Sequence, residues 1–319
     1  MSELRFGIIG AGRIAGQFVR ATRLVDCAEV IAVASKSLEK AENFAKENCV
    51  ASFCTYNELL SRDDIDAVYV ATTHNFHYEN IKACLENGKH VLCEKAMVLT
   101  EKDATELFEL AKGKGLFLME AMWTRFLPSM QKAKQCIVQG RIGAIQGISG
   151  VIGFKGKDDI EGRLLNPKLA GGALYDIGVY VTEIASFLAG ERIVDVYGNV
   201  RRDERTGVDS KVSYVVRFST FDACLQCFMT SNAKEYMIIN GDNGYIEIPR
   251  SHVGNEYYLY DVDRNLVEHF KEEFRGGNGF VYELEEMVNC IRNGKTESDI
   301  MPASATIECA RVFDKLLDT

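Results

Sequence analysis

The sequence has few prolines, a single tryptophan and no long apolar run. Only 4 of its 319 residues are proline, and no repeat or low-complexity segment interrupts the chain. No apolar run approaches the roughly 18 residues that span a bilayer. The first residues, MSELRFGIIGAGRIAG, place a charge on each side of Leu4 and are therefore unlike a signal peptide. The sequence predicts a globular protein of about two domains.

Basic residues are also in deficit. The chain has 37 Lys and Arg against 46 Asp and Glu, a formal net charge of −9. This charge repels phosphate backbones, which argues against a nucleic-acid or anionic-membrane partner, although backbone N–H groups can still bind a small anion. The ten cysteines are spread from Cys27 to Cys309 without a compact repeated spacing, so we expect reduced thiols and a cytoplasmic protein.

The first 120 residues alternate short apolar runs with amphipathic stretches, which is typical of βαβ units. The predicted strands are Arg5–Ile9, Val30–Ala34, Ala67–Ala71, His90–Cys93 and Leu116–Met119. The clearest helix is expected from Thr100 onward. Because these strands are continuously apolar, they indicate a sheet buried on both faces, hence a doubly wound parallel sheet.

After about residue 140 the pattern changes to alternation with period two, typical of antiparallel strands. The stretch Gly241–Gly244 predicts a hairpin turn. Helices are expected at Gly172–Leu188, Phe280–Arg292 and Pro302–Leu317. We therefore predict a dinucleotide-binding domain over residues 1–122 and a substrate and dimerisation domain over 123–319, with the last helix a candidate to pack back on the first domain.

A glycine-rich turn follows the first predicted strand and opens a helix. In this context Gly10 permits the tight turn, Gly12 permits close approach of a pyrophosphate, and the helix N-terminus supplies N–H donors. The motif also includes Arg13 and Ile14. A glycine turn without a ligand is the alternative.

The end of the second strand predicts which dinucleotide binds. An acidic residue there would hold the ribose hydroxyl of NAD, but this chain has Ser35, Lys36 and Ser37. A hydroxyl and an ammonium suit a 2′-phosphate, so we predict a preference for NADP(H), with NAD(H) as a possible second cofactor. In the alternative interpretation, Ser37 caps the next helix and Lys36 is solvated.

Polar residues follow two further strands at the edge where open α/β sheets bind ligands. After the third predicted strand the candidates for cofactor binding are Thr72, Thr73, Asn75 and His77, and after the fourth they are Glu94 and Lys95. A lysine at this edge can hydrogen-bond a reacting oxygen and lower the pKa of a neighbouring group. Read alone, Lys95 could also be a solvated surface residue.

Asp176 and Tyr180 are four residues apart in an otherwise apolar predicted helix. A tyrosine in a cleft can exchange a proton with a carbonyl or an alcohol. The alternative is a half-buried tyrosine hydrogen-bonded to Asp176. Two further patterns, Cys224 with Cys227 and His74 with His77, predict no metal site, because neither has a complete ligand set.

Taken together, these residues resemble the Gfo/Idh/MocA family of nicotinamide-dependent oxidoreductases, closest to the branch of dimeric dihydrodiol dehydrogenases and glucose–fructose oxidoreductase-like enzymes. The matching stretches are GAGRIA at the start, CEKAM at 93–97, MEAMWTRFLP at 119–128 and GGALYDIGVY at 171–180. The resemblance implies a Rossmann domain joined to an α/β domain built on a large, mainly antiparallel open sheet, with the cofactor in the cleft between them.

The same resemblance implies the chemistry and the assembly. Hydride passes between the nicotinamide and a sugar-, polyol- or diol-type carbon. Lys95 and Tyr180 face the nicotinamide, with Tyr180 as general acid, and Trp123 and Arg125 lie near cofactor and substrate. The C-terminal sheet implies a homodimer or higher homo-oligomer. Rival interpretations are a dinucleotide sensor without turnover and an NAD-assisted glycosidase.

One residue departs from the family pattern. Where the family has E-K-P, this chain has Glu94, Lys95 and Ala96. A cis bond before alanine costs ~3 kcal/mol more than the trans form. Alanine therefore favours a trans bond after Lys95, and the conformation of this loop stays open between trans and cis.

Overall fold

The computed structural model describes residues 3–318 and divides them into two compact units. The first unit comprises the residues up to Val98 together with Lys102–Trp123 and Phe274–Thr306. The second comprises Leu99–Glu101, Thr124–Glu273 and the residues from Ile307 onward. The main crossing at residues 123 and 124 is one position from the predicted boundary, but the chain returns to the first unit at Phe274.

The helices and strands are short and follow one another closely. The helices are α1 Arg13–Thr22, α2 Leu38–Asn48, α3 Tyr56–Leu60, α4 His77–Glu86, α5 Glu101–Lys114, α6 Pro128–Val138, α7 Val179–Ala189, α8 Phe280–Arg292 and α9 Ala303–Leu317. The strands are β1 Leu4–Ile9, β2 Ala28–Ala34, β3 Ser52–Cys54, β4 Ala67–Val70, β5 His90–Glu94, β6 Leu118–Ala121, β7 Ile145–Gly153, β8 Asp195–Arg202, β9 Asp209–Arg217, β10 Asp222–Phe228, β11 Tyr236–Gly241, β12 Gly244–Pro249, β13 Glu256–Asp261 and β14 Leu266–Lys271.

The first unit is built on a parallel six-stranded sheet in the order β3-β2-β1-β4-β5-β6. Every residue of β4 is buried, as expected for a strand covered on both faces. The predicted doubly wound sheet is confirmed. Strand β3 and helix α3 were not predicted. Helix α8 packs against α1 in this unit, where Asn278 Nδ2 donates to the Gln17 carbonyl at 2.9 Å.

The second unit contains an eight-stranded sheet in the order β14-β13-β12-β11-β7-β10-β9-β8. All its neighbouring pairs are antiparallel except β7 with β10. The predicted hairpin is present, with β11 and β12 joined through Asp242 and Asn243. A π-helical turn, Leu174–Gly178, leads directly into α7, which packs on β7, β10 and β11. The prediction of a mainly antiparallel sheet is confirmed.

Two findings bear on the environment of the chain. In residues 3–318, no helix is both long and apolar enough to cross a membrane. All ten cysteines are free thiols, in agreement with the expectation of reduced cysteines.

Candidate functional site

The ends of four parallel strands are in register at one edge of the first sheet. Ile9 of β1 pairs with Ala34 of β2 and with Val70 of β4, and Val70 pairs with Cys93 of β5. The loops that carry the predicted cofactor residues therefore leave the sheet at the same level. The strand order reverses between β1 and β4, and a ligand crevice forms at such a reversal in open α/β sheets.

The glycine-rich turn fits a dinucleotide at this edge. Gly10 has φ +111°, and a Cβ there would lie 2.6 Å from the Ala71 carbonyl oxygen, so only glycine fits. Gly12 is the N-cap of α1, and a Cβ there would meet nothing within 4 Å. Exposed Arg13 and half-buried Ile14 form the first turn, which contains no acidic residue. This helix start leaves its N–H groups and positive dipole end available to a phosphate.

The three residues after β2, which are Ser35, Lys36 and Ser37, each make a contact within the first unit. Ser37 is the N-cap of α2, with its hydroxyl accepting from Lys40 N–H at 3.3 Å, so this part of the alternative interpretation holds. Ser35 Oγ accepts from Ser37 N–H at 3.4 Å. The Lys36 ammonium lies 3.3 Å from the centroid of the Phe76 ring. A cation–π contact therefore supports Lys36 beside the loop that follows β4.

The loop after β4 is joined by hydrogen bonds of its own. Thr73 Oγ1 donates to Asn75 Oδ1 at 2.7 Å, and Asn80 Nδ2 donates to Thr72 Oγ1 at 3.2 Å. His77 begins α4 and is completely buried. Its Nε2 lies 3.0 Å from the Thr72 carbonyl oxygen, and its Nδ1 lies 2.9 Å from that of Ala96. His77 therefore joins the β4 and β5 loops, which is a positioning role.

The loop after β5 contains a cis peptide bond. It joins Lys95 to Ala96, so the conformation that the sequence left open is the one that alanine disfavours. Tertiary contacts hold the peptide unit that follows this bond: His77 Nδ1 lies 2.9 Å from the Ala96 carbonyl oxygen, and Met97 N–H donates to Glu120 Oε1 at 2.9 Å. Glu120 in turn accepts from Thr306 Oγ1 at 2.8 Å. None of these contacts is visible in the local sequence.

Glu94 lies among buried groups beneath Lys95. It accepts a short hydrogen bond from the Tyr69 hydroxyl, and burial raises its pKa, although the hydrogen bond from Tyr69 and the nearby Lys95 ammonium oppose this shift. Glu283 of α8 is also completely buried, and burial together with the nearby Glu94 carboxyl raises its pKa well above the usual range. Burial also lowers the pKa of His77. These three shifts favour neutral side chains around the β5 loop.

The two predicted residues of the Trp-Thr-Arg-Phe turn lie in different environments. Trp123, in the first unit, makes edge-to-face contacts with Phe274 and Phe280, each with ring centroids 5.7 Å apart. Arg125, in the second unit, is 4% exposed, is ion-paired with Glu183 and lies over the Phe187 ring. This geometry favours a positioning role for Arg125 over direct contact with a ligand.

Asp176 and Tyr180 lie on the turn and helix that cross the second sheet. Asp176 is buried, and its Oδ1 accepts from Arg163 Nη1 at 2.8 Å. The turn is held by Asp209, whose Oδ2 accepts from Leu174 N–H at 2.7 Å and whose pKa is raised to about 6 by burial. Tyr180 is half-buried, on the first turn of α7. The π-helical turn widens the backbone just before it, a feature frequent at functional sites.

A histidine that the sequence analysis did not select lies beside Tyr180. The two rings meet edge to face, with centroids 6.1 Å apart and an interplanar angle of 68°. His252 Nδ1 lies 2.6 Å from Glu235 Oε2, although the angle falls outside hydrogen-bond geometry. No motif marks His252, because the loop between β12 and β13 brings it to Tyr180 from 72 positions away along the chain.

In residues 3–318, no group of three or more His, Cys, Asp or Glu side chains is arranged to hold a metal ion. Cys224 is exposed and Cys227 is buried, so the two thiols point to opposite faces of β10, as predicted.

Fold and site together define a Rossmann oxidoreductase that binds a nicotinamide dinucleotide. The family model described as the oxidoreductase family with NAD-binding Rossmann fold matches residues 4–122, and the Gfo/Idh/MocA C-terminal domain model matches residues 130–247. The chain belongs to the Gfo/Idh/MocA family of oxidoreductases, as the sequence resemblance predicts.

Relatives of known activity match nearly the whole chain. It is 30% identical to the trans-1,2-dihydrobenzene-1,2-diol dehydrogenase of Mus musculus, over 98% of this chain and 95% of that protein. It is 32% identical to the enzyme of the same name from Xenopus laevis, over 98% and 97%.

Solved structures share the fold at lower identity. A 3-ketoreductase from Actinomadura kijaniata, in complex with NADP and TDP-benzene, superposes with a TM-score of 0.87 at 24% identity, over 99% of this chain and 97% of that one. An aldose-aldose oxidoreductase from Caulobacter crescentus gives 0.88 at 23%, over 98% and 96%.

Gly12→Ala tests the dinucleotide turn. A methyl group at this position meets no protein atom within 4 Å, but it would enter the space that a pyrophosphate needs. We expect the Kd for NADPH, measured by fluorescence titration, to rise at least about tenfold, which is ~1.4 kcal/mol. Gly113→Ala in α5, where a Cβ is equally unobstructed, is the matched control and should leave the Kd unchanged. Equal affinity in the two variants would contradict this assignment.

Proposed function

We propose that the protein transfers a hydride between NADP(H) and a carbon bearing a hydroxyl or carbonyl group in a diol, polyol or sugar. The observation that supports it most is the common strand edge that carries both the glycine-rich turn and the Glu94–Lys95 loop. A protein that only senses a dinucleotide has no need of a lysine there. The names of the dihydrodiol dehydrogenases, which match nearly the whole chain, favour a diol.

The residues of the chain divide the remaining work. The bound nicotinamide supplies the hydride acceptor or donor at its C4 carbon. Tyr180 exchanges the proton with the substrate oxygen, giving it to a carbonyl in reduction and taking it from an alcohol in oxidation. The positive charge of Lys95 stabilises the negative charge that develops on that oxygen. Asp176, paired with Arg163, holds the turn before Tyr180 in place.

Tyr180→Phe tests the proton donor. The variant keeps the ring but loses the hydroxyl, so kcat/KM should fall about 10²–10⁴-fold while the Kd for NADPH stays unchanged. Initial rates at the absorbance band of the reduced nicotinamide give the first value and fluorescence titration the second. Tyr175→Phe, which removes the hydroxyl that donates to the Leu99 carbonyl at 3.1 Å, is the matched control and should retain activity. Undiminished turnover in Tyr180→Phe would show that another group is the acid.

Cofactor preference is proposed from the end of β2. The three residues directly after Ala34 are not acidic, and the Lys36 ammonium contacts the face of the Phe76 ring. We expect kcat/KM to favour NADPH over NADH at least tenfold. Lys36→Glu should reverse this preference, because a carboxylate repels a 2′-phosphate. Lys40 is exposed on α2, and Lys40→Glu makes an equal charge change that should not reverse the preference. A tenfold preference of the unaltered protein for NADH would refute the proposal.

We also propose a homodimer formed through the face of the eight-stranded sheet opposite α7. A Cβ on Gly150 would lie 2.9 Å from Val181 of α7, so the alternate residues of β7 point to the other face. That face carries a groove lined by Ser149, Val151, Val215, Cys224, Gln226 and Tyr236. Small and apolar side chains at its centre suit a second copy of the sheet.

Charge at the centre of this face should separate the subunits. We expect the mass from sedimentation equilibrium to fall from dimer to monomer when Val151→Lys and Val215→Lys are combined, since two lysines per copy would be buried without partners. Val138, at the end of α6, is 73% exposed. Val138→Lys adds the same type of charge there and should leave the mass unchanged. A monomeric unaltered protein would contradict the proposal.

A reducing compartment such as the cytoplasm is proposed as the location, supported by the ten free thiols.

A further inference from the structure

A short loop between β12 and β13 presents His252 next to Tyr180. The hairpin pairs Tyr236 with Pro249, which brings Glu235 opposite the start of the loop, where Arg250 N–H donates to the Glu235 carbonyl at 3.0 Å. The Arg250 carbonyl then accepts from Val253 N–H at 2.8 Å and from Gly254 N–H at 3.0 Å. His252 is therefore carried by a closed turn whose base is the strand pair.

Two buried hydroxyl groups fix this turn from outside. Thr124 Oγ1 donates to the His252 carbonyl at 2.8 Å, and Ser129 Oγ donates to the Gly254 carbonyl. Thr124 is completely buried and Ser129 nearly so. The Trp-Thr-Arg-Phe turn and the start of α6 thus hold the backbone that carries the imidazole.

The imidazole has one protected side and one available side. Its Nδ1 lies against Glu235, whose side chain is 14% exposed, while the His252 side chain is 35% exposed. Its Nε2 has no hydrogen-bond partner among the residues that the structure describes. A carboxylate beside Nδ1 favours the tautomer with the proton on that nitrogen, which leaves Nε2 as an acceptor. The imidazole that carries this acceptor meets the Tyr180 ring edge to face.

We propose that the His252–Glu235 pair is a substrate-positioning site that binds the second hydroxyl of a vicinal diol or polyol. The inference rests on the proposed function, because Tyr180 marks where the reacting oxygen lies. His252 Nε2 accepts a hydrogen bond from the neighbouring hydroxyl, and Glu235 orients the ring. An alcohol without a second hydroxyl leaves this acceptor unsatisfied and is discriminated against for that reason.

The experiment compares trans-1,2-cyclohexanediol with cyclohexanol, each as substrate or, where it is not turned over, as competitive inhibitor. In His252→Phe we expect the KM or Ki for the diol to rise about tenfold. The KM or Ki for cyclohexanol should stay within about twofold of its value in the unaltered protein. His252→Gln, which keeps a polar group near the Nε2 position, should retain diol affinity within about threefold. Glu235→Gln should raise the KM or Ki for the diol less than His252→Phe does.

A matched control is present in the same unit. His269 Nε2 lies 3.2 Å from Glu256 Oε2, and that imidazole stacks on Tyr258 instead of Tyr180. His269→Phe should leave the KM or Ki for both alcohols unchanged. The melting temperature and the Kd for NADPH of each variant show whether the fold and the dinucleotide turn are intact.

Two failures are distinguishable. The positioning site is overturned if His252→Phe weakens the binding of both alcohols equally. It is also overturned if His252→Phe leaves the KM or Ki for the diol unchanged while Tyr180→Phe is inactive. In both cases the proposed function stands. If Tyr180→Phe turns over at the normal rate, the proposed function fails at its acid.

Discussion

The arrangement of the candidate site in the first unit depends on parallel strands that end in register. The in-register pairs of Ile9, Val70 and Cys93 bring three loops to one edge, and each loop is then fixed by a contact with another. A Cβ at Gly10 would collide with the Ala71 carbonyl, and His77 touches the carbonyls of both Thr72 and Ala96. A change in any of these loops is therefore transmitted to the others, and the position of Lys95 depends on all of them.

Electrostatics at that edge differ from what the composition implies. A net charge of −9 treats every carboxyl as ionised, but burial raises the pKa of Glu94 and Glu283 in the first unit. A carboxyl that remains protonated adds no repulsion to an anionic ligand.

Much of the architecture was predictable because its signals are local. Strand β4 is continuously apolar, and α8 has the predicted bounds, since its apolar stripe begins and ends within one segment. Strand β3 has three residues, too few to establish a period. Helix α3 was missed although Thr55 and Glu58 form a capping box that the sequence contains. The membership of α8 in the first unit depends on its contact with α1, which no local pattern reveals.

The same distinction separates the predicted site residues from the missed ones. Gly10, Lys95 and Tyr180 lie in stretches that resemble a family, whereas His252 has no such stretch and reaches Tyr180 through the closure of a distant hairpin. The cis bond after Lys95 is likewise not signalled by alanine, and the contacts of His77 and Glu120 beside it come from distant parts of the chain.

The second unit uses a different means of fixing Tyr180, the candidate proton donor. Gly172 has φ +136°, and a Cβ there would lie 2.0 Å from Asp209 Oδ1, so glycine is required for the carboxylate to reach Leu174 N–H. That bond satisfies an N–H at the start of the π-helical turn, which would otherwise be buried without a partner. The wide turn then delivers Tyr180 to the first turn of α7, at the place where the His252 loop closes. The position of Tyr180 therefore depends on backbone constraints in the turn that precedes it.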